Sequence, residues 1–441
     1  MKDLTDIYMG EFASQAPIGP KPQDNFTTNE QELEALRDVF DSGYLSLFEG
    51  SAQPDPPFSF TGGIQNQMLE NEWATAYQCR YAVAVNSATS GLYSAIGALG
   101  IGYGDEVIVS PYTMSACSVA PLVYGAIPVF ADIDPDTGCL DAQSVAEKIT
   151  ERTKAILVVH QFGFVADMAA LLALAKKHDL KIIEDCAQAH GALFRGKPVG
   201  TIGDIGVFSL NVNKTIQAGE GGVIVTDDPD IYDRLCIIRN HGENVIEARG
   251  FEDFTNLFGF NYRMTEVTAA ISRVQLNKMS QLNDTRLELV NQLKQEIDKF
   301  SCFENMGPAQ CSGCDCDTSL RCKHTYYIFP FKISAEFGAD IRADMRKIFE
   351  HENLSFSYGY VRPLYLMPIF QKKQVFKQGF PYRFLEEQGV QYEYRMGDCP
   401  EAENLHYSRL LSSEHIRPPN GIDLVEAITE VLYRVNRILS A

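Results

Sequence analysis

Between residues 81 and 226 the chain repeats one unit: a short apolar run, a turn of small or polar residues, then a stretch with helical spacing. The runs are YAVAV at 81–85, VIV within GYGDEVIVSPYT, IPVFADI, residues 155–159, 181–184 and 204–210, and VIVTD after Gly222. Because they are apolar throughout rather than at alternate positions, they suit strands covered on both faces. That is the pattern of a mainly parallel α/β sheet sandwiched by helices. Such sheets bind ligands beyond the carboxyl ends of their strands. The residues falling there are Ser87 to Thr89, Tyr112 to Met114, His160, Asp185 to Gln188 and Ser209 to Lys214.

At 441 residues the chain exceeds one ordinary core, so a second, smaller α/β domain is expected. Residues 1–30 hold prolines at 17, 20 and 22 and suggest an extended arm; 33–40 have helical spacing, and 49–63 read as a covering loop. Helices are expected at 64–77, with Met68, Leu69 and Trp73 buried, at 92–99 and 168–178, and over a long stretch from 265 to 300 with room for a break within it. A new α/β region starts with YYIFPFKI at Tyr326 and closes with a helix over 424–439. The expected division is an arm and cover at 1–63, a large domain at 64–290, and a small C-terminal domain at 291–441 with a cysteine-rich insert at 301–324.

A formal net charge of −20 opposes binding to a phosphate backbone, so nucleic acid is not an expected partner. No apolar run has the length of a membrane span, and MKDLTDIYMGEF is unlike a targeting peptide; a cytoplasmic protein with no membrane partner is expected.

Three features carry chemistry. Lys214, in FSLNVNKTIQAGEGG, is a loop lysine between a strand and a glycine-rich turn, and an unprotonated amine attacks carbonyls. Asp185 ends an apolar strand, where a carboxylate needs a positive partner. Ser87 and Thr89, in NSATSGL, stand where a strand turns into a helix whose free N–H groups attract anions. An amine, a carboxylate and an anion cup in this order are what a pyridoxal phosphate site requires.

At these residues the chain resembles the DegT/DnrJ/EryC1/StrS family of fold type I sugar aminotransferases. The resemblance covers nearly the whole chain and rests on NSATSGL, GDEVIVSPYT, PVFADID, EDCAQAHGA, FSLNVNKTIQAGEGG, RNHG, GFNYRMTEVTAA, LYLMPIF and DCPEAENL. It implies a seven-stranded sheet and pyridoxal 5'-phosphate held covalently by Lys214, which also moves the proton between carbon atoms. Asp185 would keep the ring nitrogen protonated, Gln188 would lie near the ring hydroxyl, and Ala88, Thr89 and Ser209, with Ser87, would form the phosphate cup. Asn261 would reach the neighbouring subunit's cofactor, which implies a homodimer with shared sites. Tyr360 would stand at the sugar mouth, with His160 and Arg263 as further substrate contacts. Arg263, Arg239 and Arg362 are candidates for a nucleotide diphosphate, structural ion pairs being the alternative for each. The implied reaction moves nitrogen from L-glutamate or L-glutamine to a keto sugar, nucleotide-linked in most members and a cyclitol or unlinked sugar in a minority.

The chain departs from the family pattern at three places. Met114 replaces a usual aromatic, so stacking on the cofactor ring falls to Tyr112 or to the Met114 thioether. Gly359 stands where a histidine often precedes the tyrosine, and segments 49–63 and 301–322 are longer than usual. A sugar dehydratase of the same superfamily would replace Lys214 with histidine, and a nicotinamide dehydrogenase would need a glycine fingerprint after the first strand; neither feature is present. In the insert, Cys311, Cys314, Cys316 and Cys322 are spaced to offer four thiolates to a structural zinc, reduced thiols being the alternative.

Overall fold

The computed structural model describes residues 3–13, 15–308 and 322–440. The amino-terminal segment is less extended than its prolines suggest, because residues Leu4–Phe12 form a helix, α1. Tyr8 of α1 is fully buried and donates to Glu352 at 2.9 Å, and the helix packs on the small domain. A nine-residue helix gains its stability from such docking rather than from propensity, which is why its sequence carries little signal. Next come α2 (Glu30–Ser42), started by a capping box of Asn29 and Glu32, and α3 (Ile64–Tyr77). Leu69 and Trp73 of α3 are buried as expected, whereas Met68 is exposed.

The large sheet has seven strands: β1 (Tyr81–Val85), β2 (Glu106–Val109), β3 (Ile127–Phe130), β4 (Thr153–Val159), β5 (Lys181–Asp185), β6 (Ile205–Ser209) and β7 (Gly222–Thr226). Their order across the sheet is β1-β7-β6-β5-β4-β2-β3, parallel except for β7, which runs antiparallel to both neighbours. Strands β4 to β7 are buried at almost every position, as their unbroken apolar runs require. Asp185 is paired in register with Val159 and Val207, so the carboxyl ends of three adjacent strands meet at one place. Between β1 and β2, α4 (Ala88–Ala98) begins at that same edge.

Helix α5 (Glu266–Ile297) runs unbroken for 32 residues, through the boundary expected at 290. Beyond it a four-stranded antiparallel sheet is built from β8 (Phe303–Asn305), β9 (Phe329–Ile333), β10 (Ser357–Tyr358) and β11 (Leu410–Ser413), ordered β8-β9-β11-β10. Helices α6 (Gly338–His351) and α7 (Ile422–Leu439) accompany it. The two sheets share one apolar core. Among the described residues no helix is long and apolar enough to cross a membrane.

Candidate active site

A cavity of about 490 Å³ opens where the carboxyl ends of β5 and β6 meet the first turn of α4 and the edge of the small sheet. Lys214 lines it from the loop joining β6 to β7. Its backbone N–H donates to the Asn211 carbonyl at 2.9 Å, and its Nζ lies 4.4 Å from the centre of the Tyr327 ring. Asp185 lines the same cavity and is 5% exposed. Its Oδ1 accepts from the Ala187 N–H and its Oδ2 from the Cys117 thiol, both at 2.9 Å. Among the described residues no cation pairs with it, which leaves a nearly buried carboxylate facing the cavity without a counter-charge.

The first turn of α4 supplies Ser87, Ala88 and Thr89 to the lining, and β6 supplies Ser209. The Ser87 hydroxyl caps the helix, accepting from the Ser90 N–H at 3.1 Å, while the first N–H groups of the helix remain available to an anion. Gly222 makes this approach possible, because a side-chain carbon there would lie 2.7 Å from the Ala88 nitrogen. Gln188 accepts from the Phe162 N–H at 2.7 Å and donates to the Tyr360 hydroxyl at 3.2 Å, and both Gln188 and Tyr360 face the cavity. Burial pushes the Tyr360 phenol upward.

Several expected residues lie elsewhere. Tyr112 is fully buried, its hydroxyl accepting from the Tyr360 N–H at 2.7 Å, so its ring is a spacer behind the wall; Met114 is the one that faces the cavity. His160 does not line it either. The His160 ring is fully buried, with Nδ1 accepting from the Ala166 N–H, so Nε2 is left to donate to Glu184 at 3.0 Å. Glu184 also takes the N–H groups of Gly200, Ile202 and Gly203. His160, Glu184 and Cys186 lie close enough to hold a metal, but these hydrogen bonds commit the histidine and the carboxylate to the backbone.

Arg239 is fully buried and ion-paired to Glu70. Arg263 bonds Asn261 and Asn240, and Arg362 is exposed; none of the three arginines lines the cavity. Asn261 is exposed and also lies off the cavity of its own chain. Of the proposed zinc ligands, Cys311, Cys314 and Cys316 lie outside the described residues, and the Cys322 sulfur accepts from the Arg195 N–H at 3.5 Å. Conversely, Tyr327, Ser412 and Glu414 line the cavity without having stood out in the sequence. They arrive through tertiary folding, and Tyr327 sits in a run that reads only as the start of a strand.

The model of the DegT/DnrJ/EryC1/StrS aminotransferase family matches residues 58–382. The chain belongs to this family. It is 40% identical over 234 residues to the GDP-perosamine synthase of Escherichia coli O157:H7, covering 53% of this chain and 63% of that protein. It is 36% identical over 294 residues to the L-glutamine:scyllo-inosose aminotransferase of Streptomyces griseus, covering 64% of this chain and 65% of that protein. The chain thus spans just under two thirds of the length of these two relatives. An aminotransferase structure from Psychrobacter cryohalolentis superposes with a TM-score of 0.75 at 26% identity, over 96% of this chain and all of that one. The cavity of this family member suits pyridoxal phosphate: an uncompensated carboxylate for a protonated ring nitrogen, a helix start for a phosphate, and a lysine for the carbonyl carbon.

Proposed function

We propose that the protein transfers the amino group of L-glutamate or L-glutamine to a keto sugar, most often nucleotide-linked in this family, as a step of amino-sugar biosynthesis. The observation that carries the reading is the placement of Lys214 and the unpaired Asp185 on one cavity. When bound, pyridoxal phosphate supplies a carbonyl that takes up the amino group and a protonated ring that draws electrons from the adjacent carbon. Asp185 would keep the proton on the ring nitrogen, its own oxygens being fixed by Ala187 and Cys117. The first turn of α4, with Thr89 and Ser209, takes the phosphate. Lys214 would be the amine that holds the cofactor through its carbonyl carbon and, once released, the base that moves a proton between the two carbons flanking the transferred nitrogen. Gln188 and Tyr360 would contact the ring hydroxyl, and Met114, which faces the cavity, would pack against the cofactor.

A homodimer is part of this reading, with Asn261 and Arg263 serving the neighbouring subunit's cavity. Exposure of Asn261 away from its own cavity supports that role. A second reading, an acceptor without a nucleotide, such as a keto cyclitol, is favoured by charge. Among this chain's own described lining residues Lys214 is the only cation, while Glu220 and Glu414 add carboxylates, so a diphosphate would depend on Arg263 of the partner subunit.

The test starts with a yellow preparation whose visible band disappears in Lys214→Ala and is converted by glutamate or glutamine in the absence of sugar. An unchanged band in that variant would remove Lys214 from its role. The amino-loaded enzyme is then offered keto sugars with and without a nucleotide, together with keto cyclitols. Turnover of only the unlinked acceptors would select the second reading.

A further inference from the structure

Lys214 rides on a loop whose backbone is held from outside the large domain. Asn25, in the amino-terminal segment, donates through Nδ2 to the carbonyl of Val212 at 2.9 Å and to that of Lys214 itself at 2.8 Å. Arg417, in the segment after β11, donates to the intervening Asn213 carbonyl at 2.7 Å. Arg286, on α5, donates to the Thr215 hydroxyl at 2.8 Å. Three consecutive carbonyls and the next side chain are therefore gripped from three separate parts of the chain.

The two arginines are expensive to place there. Each is 2% exposed, yet among the described residues Arg286 has no carboxylate partner and Arg417 only Glu414 at 4.0 Å. Burial, followed by repulsion from Arg417, lowers the Arg286 guanidinium to about 9. Buried cations without carboxylates are costly, so a fold keeps them where their directional donors are needed. The amino-terminal segment is tied down twice more. Gln23 and Asn420 exchange two hydrogen bonds, and the Thr27 hydroxyl bonds Gln275, which also accepts from the Gln217 N–H on the lysine loop.

We infer that Asn25, Arg417 and Arg286 are positioning residues that set where the Lys214 amine stands, so that the amino-terminal segment and the small domain complete the lysine's geometry. The inference rests on the role proposed for Lys214. A displacement of the order of an ångström at a reacting amine is enough to cost rate without loosening the fold. Asn25 and Arg417 act on the backbone at and beside the Lys214 Cα, and Arg286 on the side chain of the next residue, where such a displacement would begin.

The experiment uses the full chain loaded with pyridoxal phosphate and compares Asn25→Ala, Arg417→Lys and Tyr8→Phe. The last loosens the same amino-terminal segment at α1 without touching the lysine loop. Asn25→Ala is expected to keep its melting temperature close to that of the unaltered protein. Its kcat for the donor half-reaction should fall about tenfold with KM unchanged, and the pH at which its visible band changes colour should move. Arg417→Lys keeps the charge but loses the planar fork and should shift both readouts in the same direction. Tyr8→Phe should shift neither.

An unaltered half-reaction and colour titration in Asn25→Ala would overturn the inference, as would Tyr8→Phe reproducing its losses. Should Asn25→Ala not fold, Arg417→Lys decides by the same two readouts. If the unaltered protein forms no visible band at all, the role of Lys214 fails, and this inference with it; a normal band in the unaltered protein beside an unaltered Asn25→Ala overturns the clamp alone.

Discussion

The Cys117 thiol lies 2.9 Å from Asp185, and both burial and the nearby Asp185 charge push it well above the ordinary range of a cysteine. It therefore stays protonated and serves as a donor, one of two among the described residues that fix the Asp185 oxygens. In the sequence it is a cysteine within an apolar stretch, and nothing there points to its partner 68 positions away. Asp185 itself was legible, because a carboxylate ending an apolar strand demands a reason. Its support was not, since a thiol that donates looks in sequence like one that only packs. Cys117→Ser keeps a donor of similar size and is expected to hold the donor half-reaction within about threefold of the unaltered rate. Cys117→Ala leaves one Asp185 oxygen without its donor and should slow the step by about tenfold, the scale of one charge-assisted hydrogen bond. Half-reaction rates followed across pH check this; equal rates in all three proteins would leave the thiol with packing alone.

Regular elements explain which parts of the site could be read in advance. Residues 64–77, 81–85 and 168–178 fold as their periodicity dictates, and the carboxyl ends of the strands collect Asp185, Ser209 and the start of α4. What resisted reading depends on contacts between elements. Tyr112 turns its ring inward to meet the Tyr360 backbone, Arg239 is consumed by Glu70, and α1 exists because it docks. Gly222 illustrates the same point within the phosphate cup. As the first residue of β7 it reads as part of a glycine turn, yet a methyl group there would meet the Ala88 nitrogen and the Ser87 carbonyl carbon, each at 2.7 Å. Both are backbone atoms, so the start of α4 would have to move. Gly222→Ala is expected to weaken pyridoxal phosphate binding by tenfold or more while the melting temperature of the cofactor-free protein drops by only a few degrees. Cofactor titration by absorbance and fluorescence measures it, and unchanged affinity would show that the helix start does not hold the phosphate.

On the scale of the whole molecule, acid stability follows from two histidines whose surroundings disfavour their charged form, one fully buried and one partly buried. Burial, with the Lys214 and Arg286 charges adding to it, lowers His190 to about 3, and burial with Lys294 nearby lowers His324 to about 4. Both fall from an ordinary value of 6.5, so between that value and their folded values the unfolded chain binds protons that the folded chain refuses. The contribution is complete above pH 6.5 and is lost as pH falls towards 4 and then 3. At pH 5 the loss amounts to about 2 kcal/mol for each of the two histidines. Unfolding by urea should therefore show stability falling between pH 7 and pH 5 even though a net charge of −20 shrinks over the same range and relieves self-repulsion. His190 stacks edge-on against Trp73 and lies beside Phe208, so phenylalanine suits its surroundings. His190→Phe should flatten the decline by about 2 kcal/mol at pH 5 and leave stability at pH 7.5 close to the unaltered value. A variant whose pH dependence matches that of the unaltered protein would mean that His190 takes its proton in the folded state, against the positive charges of Lys214 and Arg286 that face it.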